Sequence, residues 1–291
     1  MIAHPEMSRS KAEADTKPRR FSPGAIAYDG AIPASYRAGR ALSSQTADAW
    51  RVAIQPFVRP ARGSAILDLG SGTGRFARLL AHAVGAHVVG AEPSRGMLTL
   101  AARDQPPEGV VYVAASAESL PFRPQVFDVA WLSHVFHHVR DRPACARELR
   151  RVLRVGGCVL LRGTFGDRLD GFPTLFRFFP GARDICAELP TVTDAVAVFE
   201  REGFTSEAVR RVEQRTCGSL ADFAARTRLR ADTALALLSD REFAEGQATL
   251  EAAAAREQGP SPVVETLDLL VYRKSGGSAP TARRRSAPEV R

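Results

Sequence analysis

Residues 66–74 read Ile-Leu-Asp-Leu-Gly-Ser-Gly-Thr-Gly, and Glu92 follows twenty-two residues after Gly70. An apolar run ends in an acid and then in three glycines at alternate positions. A segment of helical period follows, with Phe76, Leu79 and Leu80 on one face. The pattern is strand, glycine turn, helix start. Glycine tolerates positive φ and lets backbone approach a ligand closely, and a helix N-terminus offers unpaired N–H groups. A second apolar run, residues 87–91, ends in Glu92, whose carboxylate can accept two hydrogen bonds from a ribose diol. Together these features predict a nucleoside-containing cofactor at the carboxyl ends of parallel strands.

The nature of that nucleoside is open at this level. Gly72, Gly74 and Ala77 also fit the dinucleotide pattern G-x-G-x-x-A, so hydride transfer with a nicotinamide is one reading. Asp68 argues against it, because an acid two residues before Gly70 would repel a pyrophosphate but could hold a cationic amine. The spacing G-x-G-x-G also places its first glycine ahead of the dinucleotide register.

Five segments then occur in a telling order: 67–74, 89–94 (Val-Gly-Ala-Glu-Pro-Ser), 117–122 (Ala-Glu-Ser-Leu-Pro-Phe), Phe127-Asp128-Val129 with 136–139 (Phe-His-His-Val), and 148–157 (Glu-Leu-Arg-Arg-Val-Leu-Arg-Val-Gly-Gly). In order and spacing the chain resembles the class I S-adenosylmethionine-dependent methyltransferases of small molecules, the ubiquinone- and menaquinone-biosynthesis methylases among them. The strong match covers about residues 60–165.

The resemblance implies an α/β fold: a doubly wound, mostly parallel seven-stranded sheet with an antiparallel last strand. S-adenosyl-L-methionine is the implied cofactor. Asp68 would orient its amine, Gly70, Ser71, Gly72 and Gly74 would pass beneath it, and Glu92 would hold the ribose. Pro93, Ser94 and Met97 would flank the adenine, with Ser116, Ala117, Glu118 and Ser133 completing the groove. Ser116 stands where the family usually has an acid, and a hydroxyl accepts more weakly than a carboxylate. Tyr28, Tyr36 and Arg40 resemble the element that closes over the cofactor carboxylate, which an arginine fork suits.

His134, His137 and His138 are three of the six histidines and cluster just past the fourth expected strand. The family's His-His pair coincides with His137 and His138. His137 is the leading candidate base, with a side chain that ordinarily titrates near neutrality; His138 serves equally well as a packing residue. His134 and His138 are four apart, but Val135 stands where H-E-x-x-H needs Glu, and no metal is expected.

Expected strands at 110–115, 127–132 and 158–163 alternate with helices at 94–103 and 143–154, the latter stopped by Gly156-Gly157. A helix over 46–58, capped by Thr46, precedes the first strand. A helix over 194–203 and strands over 206–214 and 263–272 follow a Phe-rich stretch at 171–180. Helical patterns at 220–226, 231–238 and 241–256 lie between those last strands, too long for a simple connection. The expected organisation is a disordered tail (1–24), a helical segment over the cofactor (25–60), the main domain (61–216 with 263–274), a helical lid (217–262) and a disordered basic tail (275–291). The Phe-rich stretch and the lid would build an acceptor pocket.

The net charge of +8 raises a nucleic-acid reading. Its distribution weakens that reading: residues 1–20 carry +2 and residues 274–291 carry +4, leaving +2 for everything between. No specific nucleic-acid partner is expected. Four cysteines without C-x-x-C spacing suit reduced thiols. No apolar stretch reaches the ~18 residues of a membrane span, so a cytoplasmic monomer or homodimer is expected. The function expected is methyl transfer to a small organic acceptor, with oxygen ahead of carbon or nitrogen. The rivals are the same fold acting on RNA or protein, and a cofactor-binding protein that does not methylate.

Overall fold

The computed structural model describes Phe21, residues 32–58 and residues 64–276. Tyr28 and both expected tails, apart from Phe21 and the first residues of the second tail, lie outside the described residues. One seven-stranded sheet runs in the order β3-β2-β1-β4-β5-β7-β6. Its strands are β1 (Ala65–Leu69), β2 (His87–Glu92), β3 (Val110–Ala114), β4 (Phe127–Ser133), β5 (Leu153–Gly163), β6 (Phe204–Cys217) and β7 (Val263–Lys274). β1 to β5 pair in parallel, while β7 lies antiparallel to both β5 and β6. The expected sheet is therefore the observed one.

The helices before and within the parallel half are α1 (Ile32–Gly39), α2 (Ser44–Ile54), α3 (Arg75–Val84), α4 (Arg95–Arg103) and α5 (Arg142–Val152). Next come α6 (Pro173–Phe178), α7 (Pro180–Ala187) and α8 (Val192–Arg201). Between β6 and β7 lie α9 (Leu220–Thr227), α10 (Thr233–Leu237) and α11 (Asp240–Ala254), the expected insertion. The two-residue period of a strand sends Leu160 to one face and Leu161 to the other. Leu160 joins Trp50, Phe76 and Trp131 in one apolar layer; Leu161 joins Leu67, Leu149, Phe199 and Tyr272 in the second.

Strand order reverses between β1 and β4, so the chain leaves their carboxyl ends in opposite directions and opens a crevice there. The glycine turn follows β1 and the histidine turn follows β4. Topology alone thus brings together the two segments that sequence singled out.

Several boundaries differ from expectation. Ser43, not Thr46, caps α2, accepting from the Thr46 N–H at 3.1 Å. The Thr46 hydroxyl instead donates to the Arg215 carbonyl at 2.8 Å, tying the helix to β6. α5 stops at Val152, and Gly156 and Gly157 lie inside β5. Leu153 already pairs with Phe127, so the chain passes straight from helix to strand, and Gly156 at φ 74° takes up the irregularity. The Phe-rich stretch forms α6 and the start of α7, each opened by a proline.

Trp50 is fully buried and meets Trp131 edge-on at 5.9 Å between ring centroids. Its indole N–H donates to Gln214 Oε1 at 2.9 Å. Trp50→Ala should lower unfolding stability by about 3–5 kcal/mol in urea titration. A loss under ~1 kcal/mol would show that α2 is not part of the cooperative core.

Candidate functional site

The glycine turn is held from below. Glu92, 7% exposed, accepts the Gly72 N–H on one carboxylate oxygen at 3.0 Å and the Ser94 N–H on the other at 2.9 Å. Each oxygen keeps lone-pair capacity for a ligand hydroxyl. Ser94 caps α4 by accepting the Met97 N–H, and Met97 itself is buried.

The three glycines serve different ends. All have positive φ, 68°, 55° and 76°. A Cβ on Gly70 would strike Val135 at 2.3 Å, and one on Gly74 would meet the Tyr112 hydroxyl at 2.0 Å. Those two glycines let protein side chains pack. Among the described residues a Cβ on Gly72 would meet only Tyr36, at 4.0 Å, so of the three Gly72 is the one not packed under a described side chain.

Asp68 is 1% exposed, and its Oδ2 has no hydrogen-bond partner among the described residues. Burial pushes its carboxyl up to about 7; the nearby Arg75 guanidinium opposes that shift and Glu92 adds to it. Ser71 Oγ is likewise buried without a partner. Ser116 and Ser119 form a short bridge beside the end of β3, and Glu118 accepts the Arg140 N–H at 3.2 Å. Ala117, half-buried, packs against the second apolar layer. Pro93 is exposed at the rim.

A separate cavity, about 720 Å³ between its walls with the mouth included, brings His134, His137 and His138 together. Phe172, Leu175, Ile185 and Leu189 give it an apolar side; Gln214, Asp232 and Glu265 add polar groups. A lining of this mixed kind suits a ligand that carries both an apolar body and polar groups. Tyr36 and Arg40 also line it, so Tyr36 borders both this cavity and the space above Gly72. Val135, packed on Gly70, sits between two of the cavity histidines in the chain. The glycine turn and the cavity are thus neighbours, joined through Val135 and Tyr36.

His137 and His138 lie 4.1 Å apart between ring centroids, and the Phe21 ring stands edge-on to His137 at 5.6 Å. His137 Nε2 is buried without a partner among the described residues. Burial first, then His138, Arg40 and Arg142, hold its imidazole well below the ordinary histidine range. Burial lowers His138 to about 4. Burial first, then Arg162, likewise holds the His134 imidazole well below the ordinary range.

Arg40 pairs with Asp232, from the loop between α9 and α10; burial disfavours its charge, but Asp232 and then Tyr36 outweigh burial and strengthen its hold on the proton. The arginine expected at a cofactor carboxylate thus has a protein partner in the insertion. Ser133 Oγ accepts from Arg162 at 3.0 Å. Arg162, Gln214, Asp232, Glu265 and Arg75 were not picked out from sequence. A charge inside the apolar run 158–163 was the available signal for Arg162.

Residues 67–161 match the family described as a methyltransferase domain. The demethylmenaquinone methyltransferase of Clavibacter sepedonicus is 36% identical over 152 residues, 52% of this chain and 60% of that protein. The chain therefore spans less than two thirds of the curated relatives it matches. A solved structure described as a methyltransferase from an antibiotic biosynthesis pathway of Anabaena variabilis superposes with a TM-score of 0.63 at 19% identity, covering 79% of this chain and 100% of that one. The [4+2]-cyclase SpnF gives 0.57 at 22% identity, covering 82% and 85%. Both share the fold. Residues 67–161 are thus similar to a methyltransferase domain, and the sheet that carries them has the class I strand order. Among the described residues no helix is long and apolar enough to cross a membrane.

The raised Asp68 carboxyl makes a signed prediction. Its contribution to stability is complete below the ordinary carboxylate pKa and is lost as pH rises through about 7. Asp68→Asn should therefore raise the melting temperature of the ligand-free protein at pH 8. A bound ammonium group favours the charged form, so affinity for S-adenosylhomocysteine should fall as pH drops below 7 and lose that dependence in Asp68→Asn. Calorimetry at several pH values checks both; a wild-type affinity flat from pH 8 to 5.5 contradicts the assignment.

Proposed function

We propose that this protein transfers the methyl group of S-adenosyl-L-methionine to a small organic acceptor, with oxygen the favoured atom. The observation that carries the proposal is the pairing of the buried Asp68 carboxyl, whose Oδ2 has no hydrogen-bond partner among the described residues, with the Glu92 clamp on the far side of Gly72. An ammonium group and a ribose diol, one at each end of the turn, fit those acceptors. A pyrophosphate would meet Asp68 instead of a donor. Homology to a demethylmenaquinone methyltransferase supports the same reading.

Asp68, Ser71, Gly72 and Glu92 would hold the cofactor, and Ser94, Met97, Ser116, Ala117 and Glu118 would border its base. When bound, the sulfonium supplies an electrophilic methyl group, and the protein's task is alignment and exclusion of water. The apolar side chains of α6 and α7 shield one side of the cavity from water. His137 presents a neutral Nε2 that can accept an acceptor hydroxyl proton. His134 and His138 flank it and orient the acceptor. Arg40 stands at the border of groove and cavity, able to exchange Asp232 for a ligand carboxylate.

A second reading keeps the groove and changes the reaction. The fold also serves the protein named as a [4+2]-cyclase. Incubating the full chain with methyl-labelled S-adenosylmethionine and a panel of phenols, enols and amines separates the two. We expect a mass gain of one methyl group, with S-adenosylhomocysteine formed in equal amount. Conversion of a panel compound without mass gain contradicts methyl transfer.

His137→Gln should slow turnover about a hundredfold or more while leaving S-adenosylhomocysteine affinity nearly unchanged. With cofactor saturating, kcat should stay flat from pH 8 to about 6, because the depressed imidazoles remain neutral there. An acid limb near the ordinary histidine pKa, or wild-type turnover in His137→Gln, removes His137 as the base.

A further inference from the structure

Arg162 is 2% exposed and stands near the carboxyl end of β5. One terminal nitrogen donates to Ser133 Oγ at 3.0 Å and the other to Gln214 Oε1 at 2.9 Å. Its carbonyl accepts the His134 N–H at 2.9 Å. The guanidinium lies 4.5 Å from the Trp50 ring and 5.2 Å from Phe76. Gln214 Oε1 also accepts the Trp50 indole, and its amide reaches Glu265 at 3.4 Å. One side chain thus links the ends of β4, β5 and β6 and, through Gln214, β7.

Among the described residues no carboxylate pairs with Arg162, and its Nε lacks a partner. A buried cation in that state is costly, and an apolar residue of similar size would fill the space without the cost. What an apolar residue lacks is a rigid fork that aims two donors. The turn it holds is strained: His134 has φ 55°, which a non-glycine residue keeps only when its surroundings impose it. His134, His137 and Arg162 also line one small recess beside the main cavity.

We propose that Arg162 is a positioning residue, whose fork fixes the Ser133–His134 turn and Gln214 so that the cavity histidines face the acceptor. The word acceptor rests on the methyltransferase reading; the placement of the imidazoles does not. The cation acts on the same turn through its charge. Burial first, then Arg162, Arg40, Arg75 and His137, disfavour protonation of His134. The opposite charges on the cavity wall, Asp232 and Glu265, are engaged by Arg40 and by Thr216 with Gln214.

The test uses the full chain with Arg162→Met, Arg162→Lys and Ser133→Ala, read by imidazole NMR across pH and by S-adenosylhomocysteine calorimetry. In Arg162→Met the His134 titration midpoint should rise by about one pH unit, the order expected for losing a close charge in a partly buried site. Cofactor-product affinity should stay within about threefold, since Arg162 is placed on the acceptor side. Arg162→Lys keeps the charge and loses the fork, so the midpoint should stay low while the His134 and His137 ring signals move. Ser133→Ala keeps fold and charge and should also move the His134 signals, which keeps the test decisive if Arg162→Met does not fold. Wild-type His134 signals and midpoint in Arg162→Met, or unmoved His134 signals in Ser133→Ala and Arg162→Lys, overturn the proposal. Failure of wild-type protein to bind S-adenosylhomocysteine would instead sink the methyltransferase reading and leave the positioning role standing.

Discussion

Glu92 holds the Gly72 amide with one oxygen and the Ser94 amide with the other, and the site is laid out around that clamp. It couples the turn after β1 to the start of the helix after β2. The turn has three positive-φ glycines in five residues; the Gly70 and Ser71 N–H groups donate to the Ala91 carbonyl and Gly74 N–H to Ser71, and Glu92 adds the hold on Gly72. With it, Gly72 is fixed between two buried carboxylates. The arrangement is stable as folded yet electrostatically incomplete. Asp68 sits nearly dry with an unused oxygen, and two acids close together raise each other's proton affinity. A cationic ligand resolves that tension, which is a physical reason for the groove to select one.

The second half of the site comes from elsewhere in the chain. The crevice at the β1/β4 reversal is a property of the parallel sheet, but the walls of the histidine cavity come from α6, α7, the end of β7 and the α9–α10 loop. The Arg40–Asp232 pair ties that insertion to the N-terminal helix bordering the groove. On the proposed reading, acceptor selection and cofactor binding fall to separate parts of the fold that meet at Tyr36 and the turn carrying Val135.

Local patterns were legible where one residue type has one physical use. The acid-then-glycine run, the apolar strands and the capped helices of the insertion could be read from sequence because each follows from period, capping or allowed φ. The switch-point crevice followed from the alternation of strand and helix. Long-range pairings were not legible. At Gly70 and Gly74 the side chains that a Cβ would meet, Val135 from the turn after β4 and Tyr112 from β3, come from far along the chain. Ser43 took the cap expected of Thr46 because a carbonyl of β6 engaged Thr46. Arg162 read as an interruption in an apolar run, and only the assembled sheet shows the hydroxyl, amide and rings that receive it.

A crystal of the protein grown with S-adenosylhomocysteine should show the ligand amine within hydrogen-bonding reach of Asp68 and both ribose hydroxyls on Glu92, with the sulfur directed toward the histidine cavity. Density for a dinucleotide pyrophosphate over Gly72, or for the homocysteine compound anywhere else on the molecule, would contradict that placement.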